Sequence, residues 1–306
     1  MITVSIETGQ ERRKLVRKAV EGLGPDLFAR FRDAQTILIK VNLVDHACQL
    51  ACTHVDAVRG VLDVVSVYSP GRVFVGDAGY RGTRSAWQRF GYENLEREYR
   101  QVELVDLNDD DHVDGYSIRR DGSRNKIRRS KIAHAADFTI SLAPMKVDTT
   151  TGVSLSIQNW TLGTWLVPSR VSATGRVWAR WPWLDEEGPT AHHKSIAELY
   201  KQLPCDLAIV DGVTAMEGEG PVRGTAVQTG VVLAGTDAVA VDSVAATLMG
   251  FDPGQIGYLH FAHEEGLGSI NMTQINVPPI IMAEVTRTLD RPLALEEKMR
   301  LWREGV

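Results

Sequence analysis

The sequence predicts an α/β protein whose sheet is mixed but mostly parallel, flanked by helices and interrupted by one tryptophan-rich insertion. Short aliphatic runs recur along the chain: ITVSI, TILIKVN, VFVG, VELVDL, FTISLA, LAIVD and VVLAG. Segments with apolar residues at helical spacing lie between many of them. Strands and helices that alternate in this way argue for parallel strands joined by crossover helices. The exception is residues 160–183, where Trp160, Trp165, Trp178, Trp181 and Trp183 fall among prolines and glycines that interrupt regular structure.

The elements follow in order. MITVSIETG reads as an opening strand. RRKLVRKAVEGL has apolar residues at helical spacing. TILIKVN is a strand ending at Asn42, and Thr53 or His54 starts the helix VDAVRGVLDVVSVY. VFVGD and VELVDL are further strands. DGSRN reads as the turn of a hairpin whose arms carry Arg119, Arg120, Arg124, Lys126, Arg128, Arg129 and Lys131. FTISLA ends just before Lys146. His192 and His193 precede a helix, SIAELYKQL. LAIVD delivers Asp211 to a strand end, and MEGEGP has too many glycines for a helix and reads as a loop. TDAVAVDSVAATLMG is a helix opened by Thr236 or Asp237 and closed at Gly250, and GQIGYLHFAHEEGLG is a shorter helix. The expectation is one α/β domain over residues 1–306, with any sub-division near 150–190.

Composition narrows the function. The formal charge of −5 argues against nucleic acid, whose phosphates want a basic face. The basic hairpin is read as a solvated ribbon, with an anion-docking edge as the alternative. No apolar run approaches the ~18 residues of a membrane span. The opening strand pattern is not that of a secretion signal. Three cysteines make no disulfide framework, so a reducing cytoplasm is the expected setting.

Candidate chemistry gathers in several places. Cys205 to Pro253 places Asp211, Glu219, Asp237 and Asp242 at strand ends and a helix start, where they either share a site or cap turns and helices. HACQLACTH brings His46, Cys48, Cys52 and His54 within nine residues. Imidazole and thiol suit zinc or iron, so this run is the candidate metal set, with helix capping and buried thiols as the alternative. Lys146-Val-Asp148 follows a strand, where a lysine can hold an anion, act as a desolvated base or form a Schiff base. Asn42 and Asp77 stand at strand ends and converge on one rim with Asp211 if those strands are neighbours. His193 is a candidate general base near the tryptophans. The spacings for a Rossmann site, a P-loop and a serine-hydrolase elbow are absent.

ILIKVNL, VFVGDAG, ISLAPMKV, GVSLSIQNWTLG, DGVTAMEGEGP and AGTDAVAVDSVAATLMG occur in an order and spacing that resemble the domain of unknown function 362 family from about residue 37 to 268. In that resemblance Lys146 is the central lysine, and Gln158 and Asn159 lie in the segment after it. The chain departs from the family at Asp148, where a histidine is common, and at Gln158, where a lysine is often found. The resemblance implies a fold more than a reaction.

The functional expectation is an enzyme that acts on a small polar metabolite by metal-assisted acid–base chemistry, of proton-transfer or isomerisation type. Its catalytic candidates are Lys146, Asp148, Asp211 and His193. Its substrate-binding candidates are Asn42, Asp77, Gln158, Asn159, Glu219 and Asp242. A divalent metal or iron of unspecified identity is expected on His46, Cys48, Cys52 and His54. The alternatives are an iron–sulfur or other metal redox protein using Cys48 and Cys52, and a non-catalytic ligand-binding module. A small-molecule ligand is the expected partner, and the tryptophan segment is either its cover or a homodimer contact.

Overall fold

A computed structural model describes residues 1–173 and 175–304. Its main sheet runs, edge to edge, through Ser5–Thr8, Val231–Gly235, Leu207–Glu217, Phe138–Asp148, Thr36–Lys40, Arg72–Asp77 and Val102–Asp106. The last five are mutually parallel, and the first two are antiparallel to their neighbours. Gly152–Ser154 and Thr225–Val227 add short antiparallel partners to the two longest strands. This is the mixed, mostly parallel sheet that the alternating pattern predicts.

Helices cover both faces, which is why the strands read as nearly continuous apolar runs. Arg12–Glu21, Pro25–Asp33 and Val55–Tyr68 pack on one face. Ser156–Gly163, Pro189–Gln202, Ala238–Leu248 and Gly257–Glu264 pack on the other. Thr36–Lys40 shows the division at residue level: Ile37 and Ile39 join the first core and Leu38 the second, as the two-residue strand period requires.

Strand length positions the site. Thr36–Lys40 and Arg72–Asp77 stop at a common level, because Lys40 pairs with Gly76 on one side and Ser141 on the other. Phe138–Asp148 and Leu207–Glu217 each run for 11 residues and so rise past that level. The result is a step at the C-terminal end of the sheet, the place where open α/β sheets hold their ligands.

Several local expectations change. Lys146 is inside its strand rather than after it, paired with Ser154 and Met216. The Asp211 strand does not end there but continues to Glu217, with an irregular register between Asp211 and Met216. Apolar Val213, Ala215 and Met216 are buried in that extension, and their burial overrides the glycines around them. His192 and His193 lie within Pro189–Gln202, not before it.

The basic hairpin forms as predicted, from His112–Ile118 and Arg124–Ser130, and gains a third strand from Trp165–Leu166. The tryptophan segment is less irregular than its prolines and glycines suggest. Trp160 belongs to Ser156–Gly163 and is fully buried, its indole N–H donating to the Leu203 carbonyl at 2.6 Å. Trp183 is 42 % exposed.

Trp160 fills the second core and satisfies a carbonyl at the same time. Trp160→Ala is expected to cost about 3–5 kcal/mol by the cavity it leaves, read from denaturant unfolding. A loss under about 1 kcal/mol would show that the core closes over the gap.

Candidate active site

The step at the sheet's end is built around Lys40. It is the only charged residue in its strand, and burial among apolar neighbours depresses its pKa, with Asp77 opposing that shift. Its Nζ lies 2.7 Å from Asp77 Oδ1 and donates to Asn159 Oδ1 at 2.5 Å. The second Asp77 oxygen accepts the Leu43 amide at 2.6 Å. Asn159 in turn donates to Ser141 Oγ and to the Lys40 carbonyl. Gly163 makes room for this pair: a Cβ there would meet Lys40 Nζ at 1.9 Å and Asp77 Oδ1 at 2.7 Å. One ion pair thus joins two parallel strands to Ser156–Gly163.

Lys146, beyond the level of Lys40 on the longer neighbouring strand, is the second buried amine at this end of the sheet, only 1 % exposed. Its Nζ donates to the Ala51 carbonyl at 2.9 Å, and among the described residues no carboxylate stands within ion-pair distance. Burial lowers its pKa to about 8; Cys52 and Asp148 oppose the shift, and Lys40 adds to it. Asp148 does not pair with it because its oxygens accept the Thr150 and Thr151 amides and the Gln158 side chain. Gln158, Thr151 and Asp148 therefore form a polar patch that is complete without the amine.

The loop after the Lys40 strand closes over Lys146. Thr53 fastens it, donating from its hydroxyl to the Leu142 carbonyl and accepting the Asn42 amide. Asn42 is half-buried, its side chain accepting the Val44 amide.

The four side chains of the metal expectation, His46, Cys48, Cys52 and His54, do not gather on this loop. Among the described residues, no three histidine, cysteine or carboxylate side chains stand where they could share an ion. His54 Nδ1 accepts the Asp56 amide and caps Val55–Tyr68. Cys52 is buried, its thiol directed at the Asp45 carbonyl, and burial pushes its pKa up to about 12. His46 and Cys48 remain half-buried on the same loop without joining them. Helix capping and burial, each satisfied by one residue, separate side chains that are close in sequence. All three cysteines are free thiols.

The four carboxylates of 205–253 also separate. Asp211 is buried and pairs with Arg12, Nε to Oδ2 2.8 Å; burial raises its pKa against the pull of Arg12. Asp237 caps Ala238–Leu248 by accepting the Ala240 amide. Asp242 accepts the amides of Ser156 and Ile157 and the Ser156 hydroxyl, and burial lifts its pKa to about 7. Glu219 is exposed. Capping thus claims Asp237 and Asp242. An open depression of about 650 Å³ lies beside Arg12 and His54, but its cations are matched, Arg13 by Asp63 and Arg17 by Glu21.

His193 also stands apart from the other catalytic candidates. It is buried against Tyr258 and Trp302, and its Nδ1 accepts the Tyr258 amide at 3.1 Å. Among the described residues no hydrogen bond or ion pair ties it to Lys146, Asp148 or Asp211. Burial holds its pKa well below the usual histidine range.

The tryptophan segment reaches the step from outside. The Trp178 amide donates to the Tyr80 carbonyl, and the rings of Trp181 and Tyr80 lie 5.2 Å apart, just past Asp77. Between them Arg180 is almost wholly buried.

The chain matches the domain of unknown function 362 over residues 37–247. It belongs to that family (DUF362). A thylakoid-associated protein of Synechocystis, sll1697, is 28 % identical over 264 residues, covering 85 % of this chain and 73 % of its own. Among solved structures, the lactate racemase apoprotein of Thermoanaerobacterium thermosaccharolyticum aligns at 14 % identity and a TM-score of 0.48, over 76 % of this chain and 54 % of its own. A Thermotoga maritima protein aligns at 13 % identity and a TM-score of 0.42, over 73 % and 56 %. This DUF362 chain therefore spans little more than half the length of either solved chain. Among its described residues, no helix is long and apolar enough to cross a membrane.

Lys40, noticed only as part of the ILIKVNL motif, and Arg180 were not among the predicted site residues. A lysine ending an aliphatic strand was a legible signal. An arginine among tryptophans was not.

Lys146 gives a pH-dependent prediction. Below about pH 8 both folded and unfolded chains hold its proton, and the folded state bears the cost of a buried charge. Between about 8 and 10.5 only the unfolded chain still binds that proton, so stability rises with pH in this window. Lys146→Met is therefore expected to be more stable than the parent at pH 7, by up to about 3 kcal/mol. The gain should shrink between pH 8 and 10, followed by urea unfolding. A variant less stable at pH 7, or a gain independent of pH, would contradict the buried-amine account.

Proposed function

We propose that this protein is an enzyme acting on a small polar metabolite by acid–base chemistry, with Lys146 as the group that moves the proton. One observation carries the reading: a fully buried amine at the C-terminal end of a parallel sheet, without a carboxylate partner and shifted toward neutral pH. A lysine kept only to hold the Ala51 carbonyl would be a costly strut, since an aliphatic side chain of similar length fills the position without a buried charge. A general base works best with a pKa near the operating pH, and burial is one physical route to such an amine.

The neighbouring groups suit a supporting role. Asp148, Gln158 and Thr151 are already hydrogen-bonded to one another or to backbone, so they offer a rigid polar wall. Lys40 is fixed by Asp77 and Asn159 and supplies positive potential that favours the neutral form of Lys146. Removal of a proton beside a carbonyl group is the reaction class this inventory supports, because the base is an amine and cations stand by to stabilise the developing negative charge.

The test is hydrogen–deuterium exchange of carbon-bound protons in a panel of small hydroxy-, keto- and amino-acids and sugar phosphates, followed by NMR in D₂O. The parent protein should exchange at least one of them, and Lys146→Met should lose about 100-fold or more of that rate. Exchange at an undiminished rate in Lys146→Met would sink the assignment.

A further inference from the structure

We infer that Asp242 is a positioning residue of the proposed site: from the neighbouring helix Ala238–Leu248 it holds the start of Ser156–Gly163 and, through Ser156, Ser141 and Asn159, sets the place of Lys40. The inference rests on the site proposed above and says what keeps its fixed cation in place.

The connection is a run of hydrogen bonds. Asp242 Oδ1 accepts the Ser156 amide at 2.9 Å and the Ser156 hydroxyl at 2.5 Å, and Oδ2 accepts the Ile157 amide at 3.0 Å. The Ser156 carbonyl accepts the Ser141 hydroxyl at 2.8 Å. Ser141 Oγ accepts the Asn159 side-chain amide at 2.9 Å, and Asn159 Oδ1 accepts Lys40 Nζ at 2.5 Å. Every side chain in the run is buried. Its sense is fixed at both ends. An ammonium can only donate, so the Asn159 carbonyl must face Lys40 and its amino group must face Ser141. A carboxylate can only accept, so Ser156 must donate to Asp242.

The helix itself shows why a distant residue is needed. Leu155, the residue before it, makes no side-chain cap and is buried in the core. All eight residues of Ser156–Gly163 are buried too, so water cannot satisfy the free amides at its start. A local serine or aspartate cap would serve the helix without tying it to another element. Here the acceptor comes from 86 positions away. Gln158 and Asn159 follow in the first turn, and the Asn159 backbone amide donates to the Leu155 carbonyl at 3.0 Å. One carboxylate therefore sets both Asn159 on Lys40 and Gln158 on Asp148. Asp237 shows the contrast. It caps Ala238–Leu248 and reaches the Ser269 amide, with no bond among the described residues to Ser156–Gly163.

The test reads Lys40 directly. In lysine-labelled full-length protein its ¹³Cε and ¹⁵Nζ resonances, assigned by through-bond NMR, are compared in the parent, Asp242→Asn, Ser141→Ala and Asp237→Asn. Asparagine keeps the shape of Asp242 but turns an amino group toward groups that need an acceptor. The Lys40 resonances should move in Asp242→Asn and in Ser141→Ala, which severs the run halfway. They should stay in place in Asp237→Asn, which loses a cap of the same kind. Proton exchange in the metabolite panel should fall about tenfold in Asp242→Asn and stay within about twofold of the parent in Asp237→Asn. Ser141→Ala decides if Asp242→Asn does not fold. The inference is overturned if Lys40 is unmoved in either folded variant, or if Asp237→Asn moves it as far. A shifted Lys40 in a protein whose parent exchanges no proton of the panel would sink the catalytic reading and leave this one standing. Exchange lost in Lys146→Met but undiminished in Asp242→Asn, with Lys40 unmoved, would do the reverse.

Discussion

Burying an ammonium group is unfavourable unless something answers its charge, and the end of this sheet buries two. Lys40 is answered by Asp77 and Asn159 within 2.7 Å. Lys146 is answered by one backbone carbonyl. The first arrangement fixes the architecture: it ties two strands to the helix that carries Gln158, Asn159 and Trp160, and it demands glycine at position 163. The second spends stability where the fold does not need it. That is the signature expected of a working group, since sites arranged for chemistry commonly cost the fold something.

The two coverings of the step differ in kind. The 45–53 loop is fastened by Thr53 to the sheet and by the Ala51 carbonyl to Lys146 itself, so the amine holds its own cover closed. The tryptophan segment is fastened by backbone contact at Tyr80 and by a tilted ring contact between Trp181 and Tyr80 rather than by strands of the main sheet. A ligand that drew Lys146 away from Ala51 would release the loop and change the environment of the amine in one event. Binding and activation would then be coupled through a single hydrogen bond.

Much of the fold was legible because its signals are local. Aliphatic runs, the hairpin turn at DGSRN, and the caps at His54 and Asp237 each follow from a few adjacent residues. Lys146 and Asp77 were legible for the same reason, as polar residues at or near the ends of apolar strands. Partner choice was not. Asp211, Asp237 and Asp242 look alike in sequence, yet one meets Arg12 and the others cap helices, and only tertiary packing makes that division. The histidine–cysteine run was misleading because nearness in sequence says nothing about where side chains point once His54 is taken by its own helix and Cys52 by the loop. Lys40 ends an aliphatic strand as legibly as Asp77 does, whereas nothing in the residues around Arg180 signals its burial.

The central claim is that Lys146 is a buried amine poised near neutral pH, and its titration tests that most directly. In lysine-labelled protein, the ¹³Cε resonance of Lys146, assigned by its loss in Lys146→Met, can be followed by NMR from pH 6 to 11. The account predicts a midpoint near 8, well below the ordinary lysine value of 10.5. A midpoint at or above 10.5 would mean that the folded protein keeps this ammonium charged and fully compensated, and the account would fail.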